Sequence, residues 1–218
     1  MKNFFVRIKF APFYLLSLLP LQVLYLFSSG IFGLLYYVLK YRRNVVLENL
    51  QHAFPEKEEA ELLKIEKGFY QHFCDIFVES VKILTMSKQQ VKKRFKVKNA
   101  EVIQGFYEKG QSVIIYAAHL GNWEWMASAI SRSRFPLTVM QRERDEGGLN
   151  DFIVGIRASA GMKTIDRGSS ESGRDLIRAL RRGGLIGFLI DQSIRAESVK
   201  VPFFGKPAPT PIGPAKMT

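Results

Sequence analysis

The chain has 218 residues, 47% of them hydrophobic, and carries a formal net charge of +12 at pH 7. This composition is typical of a globular or membrane-associated protein and excludes an intrinsically disordered one. The single cysteine, Cys74, excludes an intramolecular disulfide, and no paired Cys/His spacing predicts a zinc site. The positive charge favours an anionic partner, namely a nucleic acid, a membrane surface or an acidic protein.

The N-terminal region contains an uncharged stretch from Phe10 to Leu39. It exceeds the ~20 apolar residues that a membrane-spanning helix needs, although Pro12 and Pro20 interrupt it. A buried helical hairpin is the alternative. Because basic residues flank both ends, the sequence does not fix an orientation, and a spanning helix and a monotopic anchor both stay open. We predict that residues 1–40 form a membrane-associated hydrophobic segment and not a signal peptide.

Residues 41–98 are predicted to form a helical region. Arg43 to Phe54 has a helical apolar face and ends at Pro55, and Glu58 to Leu84 has the spacing of a long amphipathic helix. Glu79 on that helix is interpreted as a solvated charge. The basic run from Lys88 to Lys98 predicts either a solvated surface or a strip that contacts phosphate-bearing lipid or an acidic protein.

Residues 99–218 are predicted to form an α/β core, because short apolar runs alternate with helical patterns. This alternation predicts a mostly parallel sheet flanked by helices. The predicted strands are Ser112 to Ala118, Phe135 to Met140, Met162 to Ile165 and Leu185 to Ile190. No Walker loop, G-x-S-x-G elbow or dinucleotide fingerprint occurs in the chain.

His119 and Glu124 are the candidate catalytic residues. His119 follows the first predicted strand, and Glu124 lies in the first turn of the next helix, which Asn122 is predicted to cap. The two side chains can meet only if the backbone changes direction between them, which the Leu120-Gly121-Asn122 segment allows. A carboxylate bonded to one imidazole nitrogen fixes its tautomer and leaves the other to accept a proton from an alcohol. The spacing therefore predicts general-base chemistry.

The sequence HLGNWE at 119–124, between a strand and a helix, resembles the H-x4-D/E block of the glycerolipid acyltransferases. Its HxGNWE form is similar to the bacterial lipid A biosynthesis (late) acyltransferases. Further similar blocks are the RN…N…FP stretch in 43–55, an acidic residue near Glu79, the R…G pair Arg157 and Gly161, and VPFFG at 201–205. The resemblance implies a catalytic role for His119 and Glu124. The residues expected to bind substrate are Asn122, Arg142, Arg157, Asp191 and Gln192.

The resemblance also implies a reaction: transfer of a fatty acyl chain from acyl-acyl carrier protein to a hydroxyl of a lipid A precursor. No metal, cofactor or acyl-enzyme is expected, because no activated Ser or Cys is apparent. The expected location is the cytoplasmic side of the bacterial inner membrane. Transfer to another glycolipid or a lysophospholipid is an alternative, as is an inactive truncated membrane-bound form, since the family has further elements beyond the position of Thr218. Nucleic-acid binding is disfavoured, because no recognition motif is present.

Overall fold

The computed structural model describes residues 10–133, 135, 137–141, 148–192 and 198–217. Its α-helices are α1 (Ala11–Leu18), α2 (Leu21–Gly33), α3 (Arg43–Ala53), α4 (Glu59–Lys82), α5 (Lys88–Arg94), α6 (Ala100–Glu108), α7 (Trp123–Ser131), α8 (Gly148–Ser159) and α9 (Ser172–Arg181). Its strands are β1 (Val113–Ala117), β2 (Leu137–Gln141), β3 (Lys163–Asp166), β4 (Leu185–Leu189), β5 (Ser198–Phe203) and β6 (Lys206–Pro211). A π-helical turn, Leu34–Val38, extends α2, and Pro214–Met217 is a 3-10 turn.

The central sheet has the strand order β1-β4-β2-β3, and all its strands are parallel. Successive residues on a strand face opposite sides, and the two sides bury different clusters. Leu185 packs with the helices α4, α7 and α8, whereas its neighbour Ile186 packs with Ile165 of β3 and Leu176 of α9. The predicted α/β fold, with a parallel sheet covered on both faces, is thus confirmed.

The N-terminal helices pack against the core through α4. Tyr25 and Tyr36 each donate a hydrogen bond to a glutamate of α4, and Leu24 is completely buried between the helices. The ammonium group of Lys82 donates to the carbonyl oxygens of Ser17 (2.8 Å) and Leu19 (2.9 Å), which no longer have helical partners. The helical N-terminal region is therefore joined to the α/β core and does not stand apart from it.

One stretch, Leu21–Val38, is long and apolar enough to cross a membrane, with a mean hydropathy of 1.5 and 28% of its residues buried. One face of this stretch lies on α4, and the other exposes Leu26, Phe27 and Val38. The uncharged segment predicted from the sequence is therefore two helices separated at Pro20, with an apolar outer surface.

Three local features differ from the sequence expectations. The basic run contains a helix, α5, because Ser87 and Gln90 form a reciprocal capping box. Strands β5 and β6 form a hairpin in a proline-rich stretch, which exposed two-stranded ribbons tolerate. Its two-residue turn has positive φ at Phe204 (47°) and Gly205 (72°), as such turns require. Glu79 is half-buried and hydrogen-bonded, so the interpretation as a solvated charge is wrong.

Candidate active site

The segment between β1 and α7 changes direction where the sequence predicted. Gly121 has φ +60°, a conformation that glycine adopts without steric cost, and Asn122 is the N-cap of α7. The Asn122 side-chain oxygen accepts the backbone N–H of Trp125 at 2.9 Å. We call residues 118–122 the histidine turn. It holds His119 at the carboxyl edge of the sheet, where ligands bind in open α/β folds.

The carboxylate that contacts His119 belongs to Asp191. The Nδ1–H group of His119 donates to Oδ1 of Asp191 (2.7 Å), and the backbone N–H donates to Oδ2 (2.8 Å). The strand register explains this contact, because β1 and β4 are neighbours with Ala117 opposite Leu189. Each of the two site residues lies two positions beyond the end of its strand, so both reach the same point of the edge.

These contacts fix the protonation of the pair. Burial alone would raise the pKa of the Asp191 carboxyl, but the hydrogen bonds and the charge interaction with His119 outweigh it and hold that pKa below its ordinary value. The ionised carboxylate can only accept, so Nδ1 carries a proton, and in the neutral imidazole Nε2 is the nitrogen with the lone pair. Within the described part of the chain, Nε2 has no hydrogen bond. This is the tautomer that a general base needs.

Glu124 forms a second, separate pair with Arg157 of α8. The guanidinium donates from Nη2 to Oε1 (2.5 Å) and from Nε to Oε2 (3.1 Å), a bidentate arrangement. Its Nη1 donates to Oε1 of Gln141 at the end of β2 (2.5 Å). The side chains of Arg157 and Glu124 are 14% and 10% exposed, so this pair is largely shielded from water.

The predicted direct pairing of His119 with Glu124 is therefore not what the structure has. The turn does redirect the chain, but the position of Glu124 in the first turn of α7 brings it to α8 instead of to the imidazole. Among the residues expected to bind substrate, Asp191 and Gln192 lie exposed at this edge, and Arg157 lies beside it. Arg142 lies outside the described residues. The roles assigned to all these residues stay predictions.

Asn122 is already engaged at both ends of its amide. Its oxygen caps α7, and its nitrogen donates to Oε2 of Glu79 at 2.6 Å. The geometry favours a positioning role for Asn122 over the substrate contact expected from the resemblance. The described residues contain no group of three or more His, Cys, Asp and Glu side chains that could hold a metal ion.

An apolar cavity of about 430 Å³ lies between the helical region and the core. Residues of α2, α4 and α8 line it, among them Leu35, Phe77 and Phe152, and Glu124 and Arg157 stand at one side. Trp123 also lines it and packs edge-on against His119, with ring centroids 4.8 Å apart. Trp123 thus connects the cavity with the imidazole.

Two further side chains of this region, Trp123 and Gln141, are not among the residues predicted from the sequence. The place of Trp123 in the HLGNWE block, close to His119, is a usable signal for it. Gln141 ends a strand beside the predicted Arg142, but no local pattern marks its side chain. The Nε2 atom of Gln141 is buried and has no hydrogen-bond partner among the residues that the structure describes, which leaves a donor unsatisfied beside Arg157.

Cys74 lines the same cavity but is not activated. It is 1% exposed, and burial raises the pKa of its thiol. A neutral, buried thiol is a poor nucleophile, because the thiolate is the reactive form. The geometry therefore favours base-catalysed chemistry at His119 over a covalent intermediate on the cysteine.

Comparison with known proteins identifies the family of the chain. A search of curated proteins returns no matching relative. Residues 3–218, nearly the whole chain, match the family described as bacterial lipid A biosynthesis acyltransferase. The chain therefore belongs to this family and is an acyltransferase.

Proposed function

We propose that the protein transfers a fatty acyl chain from an acyl-carrier-protein thioester directly to a hydroxyl group of a lipid A precursor. The observation that carries the proposal is the state of His119. A carboxylate fixes Nδ1 as the donor, and Nε2 stands without a partner among the described residues. The same imidazole packs against Trp123, which lines an apolar cavity suited to a hydrocarbon chain.

The proposed reaction starts with proton transfer from the acceptor hydroxyl to Nε2 of His119. The hydroxyl oxygen attacks the carbonyl carbon of the thioester and forms a tetrahedral intermediate. The C–S bond then breaks, and the thiolate takes the proton back from Nε2. The products are an oxygen ester and a free thiol, and His119 returns to its neutral form.

Asp191 and Arg157 have different tasks in this scheme. Asp191 holds the imidazole tautomer and stabilises the positive charge that His119 carries during the reaction. Arg157 uses three of its five N–H groups on Glu124 and Gln141, and the remaining ones can donate to the carbonyl oxygen as it becomes negative. The unsatisfied Nε2 of Gln141 is a second donor nearby. Glu124 acts by holding Arg157 in place.

We assign the acyl chain of the donor to the apolar cavity. Its wall is built almost entirely from hydrocarbon side chains, so water finds few hydrogen-bond partners there. An alkyl chain that enters the cavity is stabilised by about 0.8 kcal/mol per buried CH₂ group. Glu124 and Arg157 border the cavity on the catalytic side. A chain that enters here has its thioester end near the histidine turn.

The positive charge serves three anionic partners in this proposal: the acidic carrier protein, the phosphorylated acceptor and the anionic membrane. Lys92, Lys93 and Arg94 form a basic cluster in the last turn of α5. Long-range attraction of this kind is screened beyond ~8 Å at physiological salt, so it steers encounter more than it fixes geometry.

We further propose a monotopic attachment to the cytoplasmic side of the inner membrane. Helix α2 lies along α4. The hydrogen bond between Tyr25 and Glu79 joins the two near one end, and the hydrogen bond between Tyr36 and Glu66 joins them near the other. A bilayer-spanning α2 would draw charged residues of α4 into hydrocarbon, which is costly. Attachment through the exposed outer face avoids this.

Changing Leu26 and Val38 together to glutamate should move the protein to the soluble fraction and leave its far-UV circular dichroism unchanged.

The test uses the purified full chain in phospholipid vesicles with an acyl-carrier-protein donor. Hydroxylated lipid A precursors, lysophospholipids and simple glycolipids are offered separately, and the products are identified by mass spectrometry. We expect one added acyl ester on the lipid A precursor and release of one free thiol per ester. His119→Gln, which keeps a polar side chain of similar size, should form no product.

Two results would overturn the proposal. Efficient acylation of lysophospholipid with none of the lipid A precursor would assign a different acceptor. Thioester hydrolysis without ester formation, at the same rate in the His119→Gln variant, would contradict both the proposed reaction and the role of His119 as its base.

A donor comparison with acyl-coenzyme A should show a preference for the carrier protein that weakens as salt rises.

A further inference from the structure

Glu79 makes side-chain contacts with two elements that are distant in the sequence. Its Oε1 accepts the hydroxyl hydrogen of Tyr25 on α2 at 2.7 Å, and its Oε2 accepts the amide hydrogen of Asn122 at 2.6 Å. Its backbone carbonyl accepts the indole N–H of Trp125 at 2.9 Å. One residue of α4 thus contacts the apolar helix, the histidine turn and the first turn of α7.

The contact with Asn122 determines how the histidine turn is held. The Asn122 amide has one orientation only, because its oxygen caps α7 and its nitrogen faces the Glu79 carboxylate. With the amide fixed at both ends, the backbone at the end of the turn is anchored to α4. His119 stands three residues earlier in the chain, and Gly121 lies between the two residues.

We propose that Glu79 is a positioning residue for acyl transfer, which joins helix α2 to the histidine turn through Tyr25 and Asn122. Glu79 touches no substrate; it holds the imidazole at a fixed distance from the helix that faces the lipid. The acceptor hydroxyl arrives from the membrane surface, so this distance decides whether Nε2 meets it. The inference rests on the proposed function and adds the group that aligns its base.

A matched control exists on the same helix. Glu66 is completely buried, accepts a hydrogen bond from Tyr36 (3.1 Å), and forms a bidentate pair with Arg43. Both glutamates therefore join a tyrosine of the α2 segment to α4. The contacts of Glu66 are with Tyr36 and Arg43, away from the histidine turn. Loss of the Tyr36 bond changes helix packing without changing the position of His119.

The decisive variants exchange the polarity of the Glu79–Asn122 hydrogen bond. Glu79→Gln can keep the Asn122 contact only with its oxygen, so its NH₂ group faces the Tyr25 hydroxyl, which must then accept instead of donate, and the charge that strengthened both hydrogen bonds is lost. Asn122→Asp keeps the helix cap but sets two carboxylates against each other. In the double variant, the new glutamine accepts from Tyr25 and donates to the new aspartate, which still caps α7. All three hydrogen bonds are then present again.

We expect Asn122→Asp to lower kcat by about tenfold, because repulsion replaces one charge-assisted hydrogen bond, and Glu79→Gln to lower it by about threefold, with KM for the donor little changed in both. The double variant should recover to within about threefold of the wild-type kcat. Tyr25→Phe should lower kcat by about threefold, whereas Tyr36→Phe should lower the melting temperature and leave kcat unchanged. Residues that only support the fold would lower the melting temperature and leave kcat of the folded protein unchanged.

A wild-type kcat in Asn122→Asp, or a double variant no more active than Asn122→Asp alone, would overturn the inference. If the wild-type chain itself transfers no acyl group, the proposed function fails, and hydrogen exchange of the amides of residues 120–125 then tests the positioning alone. The Asn122→Asp variant should exchange faster there, and the double variant and Tyr36→Phe should exchange at the wild-type rate. Equal exchange in all variants would refute the anchoring of the turn.

Discussion

Two pairs, each formed by a basic side chain and a carboxylate, lie at the same edge of the sheet. They differ in their exposure to solvent and in the hydrogen-bonding atoms that stay without a partner. His119 and Asp191 are partly open to solvent, with side chains 24% and 36% exposed, and one nitrogen of the imidazole has no partner among the described residues. Glu124 and Arg157 are shielded, bonded twice to each other, and tied to Gln141. In the first pair, Nε2 of His119 is open to a proton from a substrate. In the second pair, the guanidinium of Arg157 carries a positive charge that is held in place.

The difference indicates a division of labour. A general base must meet substrate and change its protonation, so it needs access and a neutral form. A group that stabilises developing negative charge works best when it is rigid and its surroundings exclude water, because it then needs no reorganisation. The family motif contributes one member to each pair, His119 to the first and Glu124 to the second, and the fold supplies both partners.

The largest effect is expected for the base itself. His119→Ala removes the only group in this scheme that accepts the hydroxyl proton, so turnover should fall by about a thousandfold. The measurement is steady-state ester formation with the purified chain in vesicles. Far-UV circular dichroism and vesicle binding should match the wild type, since His119 is not part of the core. Turnover within a few-fold of the wild type would contradict its role.

Glu124→Gln should lower both stability and turnover. It leaves the Arg157 charge shielded from water without its carboxylate, which costs roughly 3 kcal/mol of unfolding free energy, and it releases the guanidinium from its catalytic position. We expect about a hundredfold lower turnover. Changing both residues to methionine should recover the stability, measured by urea unfolding, but not the turnover. Recovery of both would show that the pair is structural only.

Asp191→Asn should reduce turnover by about thirtyfold, less than loss of the base, because the imidazole remains but its tautomer is no longer imposed. Its melting temperature at pH 7 should fall less than that of Glu124→Gln, since the His119–Asp191 pair is more exposed. If Asp191→Asn is fully active while Glu124→Gln is not, the carboxylate that serves His119 during catalysis is Glu124, as the sequence motif alone suggested.

The smallest effect concerns stability against pH. The pKa of the Asp191 carboxyl is lower in the folded state than its ordinary value. Its contribution to stability is therefore complete above the unfolded value of about 4 and is lost as the pH falls through the folded value. The difference in melting temperature between wild type and Asp191→Asn should therefore stay the same down to about pH 4 and shrink as the pH falls further. A constant difference would show that this carboxylate is not held ionised by His119.

Features that depend on neighbouring residues could be predicted from the sequence, and contacts between distant segments could not. The strand–turn–helix around His119 was predictable, because apolar runs, a glycine and a capping asparagine act locally. The Asp191 contact was not, because it depends on β4 lying beside β1, and strand order is not written in local pattern. The hydrogen bonds of Glu79 could not be predicted for the same reason, because its partners Tyr25 and Asn122 are 54 and 43 positions away in the chain.

The most direct test of the central claim is a single-turnover experiment with a radiolabelled acyl chain on the carrier protein. The label is followed by rapid quenching among the carrier, the enzyme and the lipid. We predict that it passes from carrier to lipid without appearing on the enzyme, and that it stays on the carrier with His119→Ala. Label bound covalently to the enzyme before the lipid, on Cys74 or any other side chain, would contradict direct transfer by a histidine base.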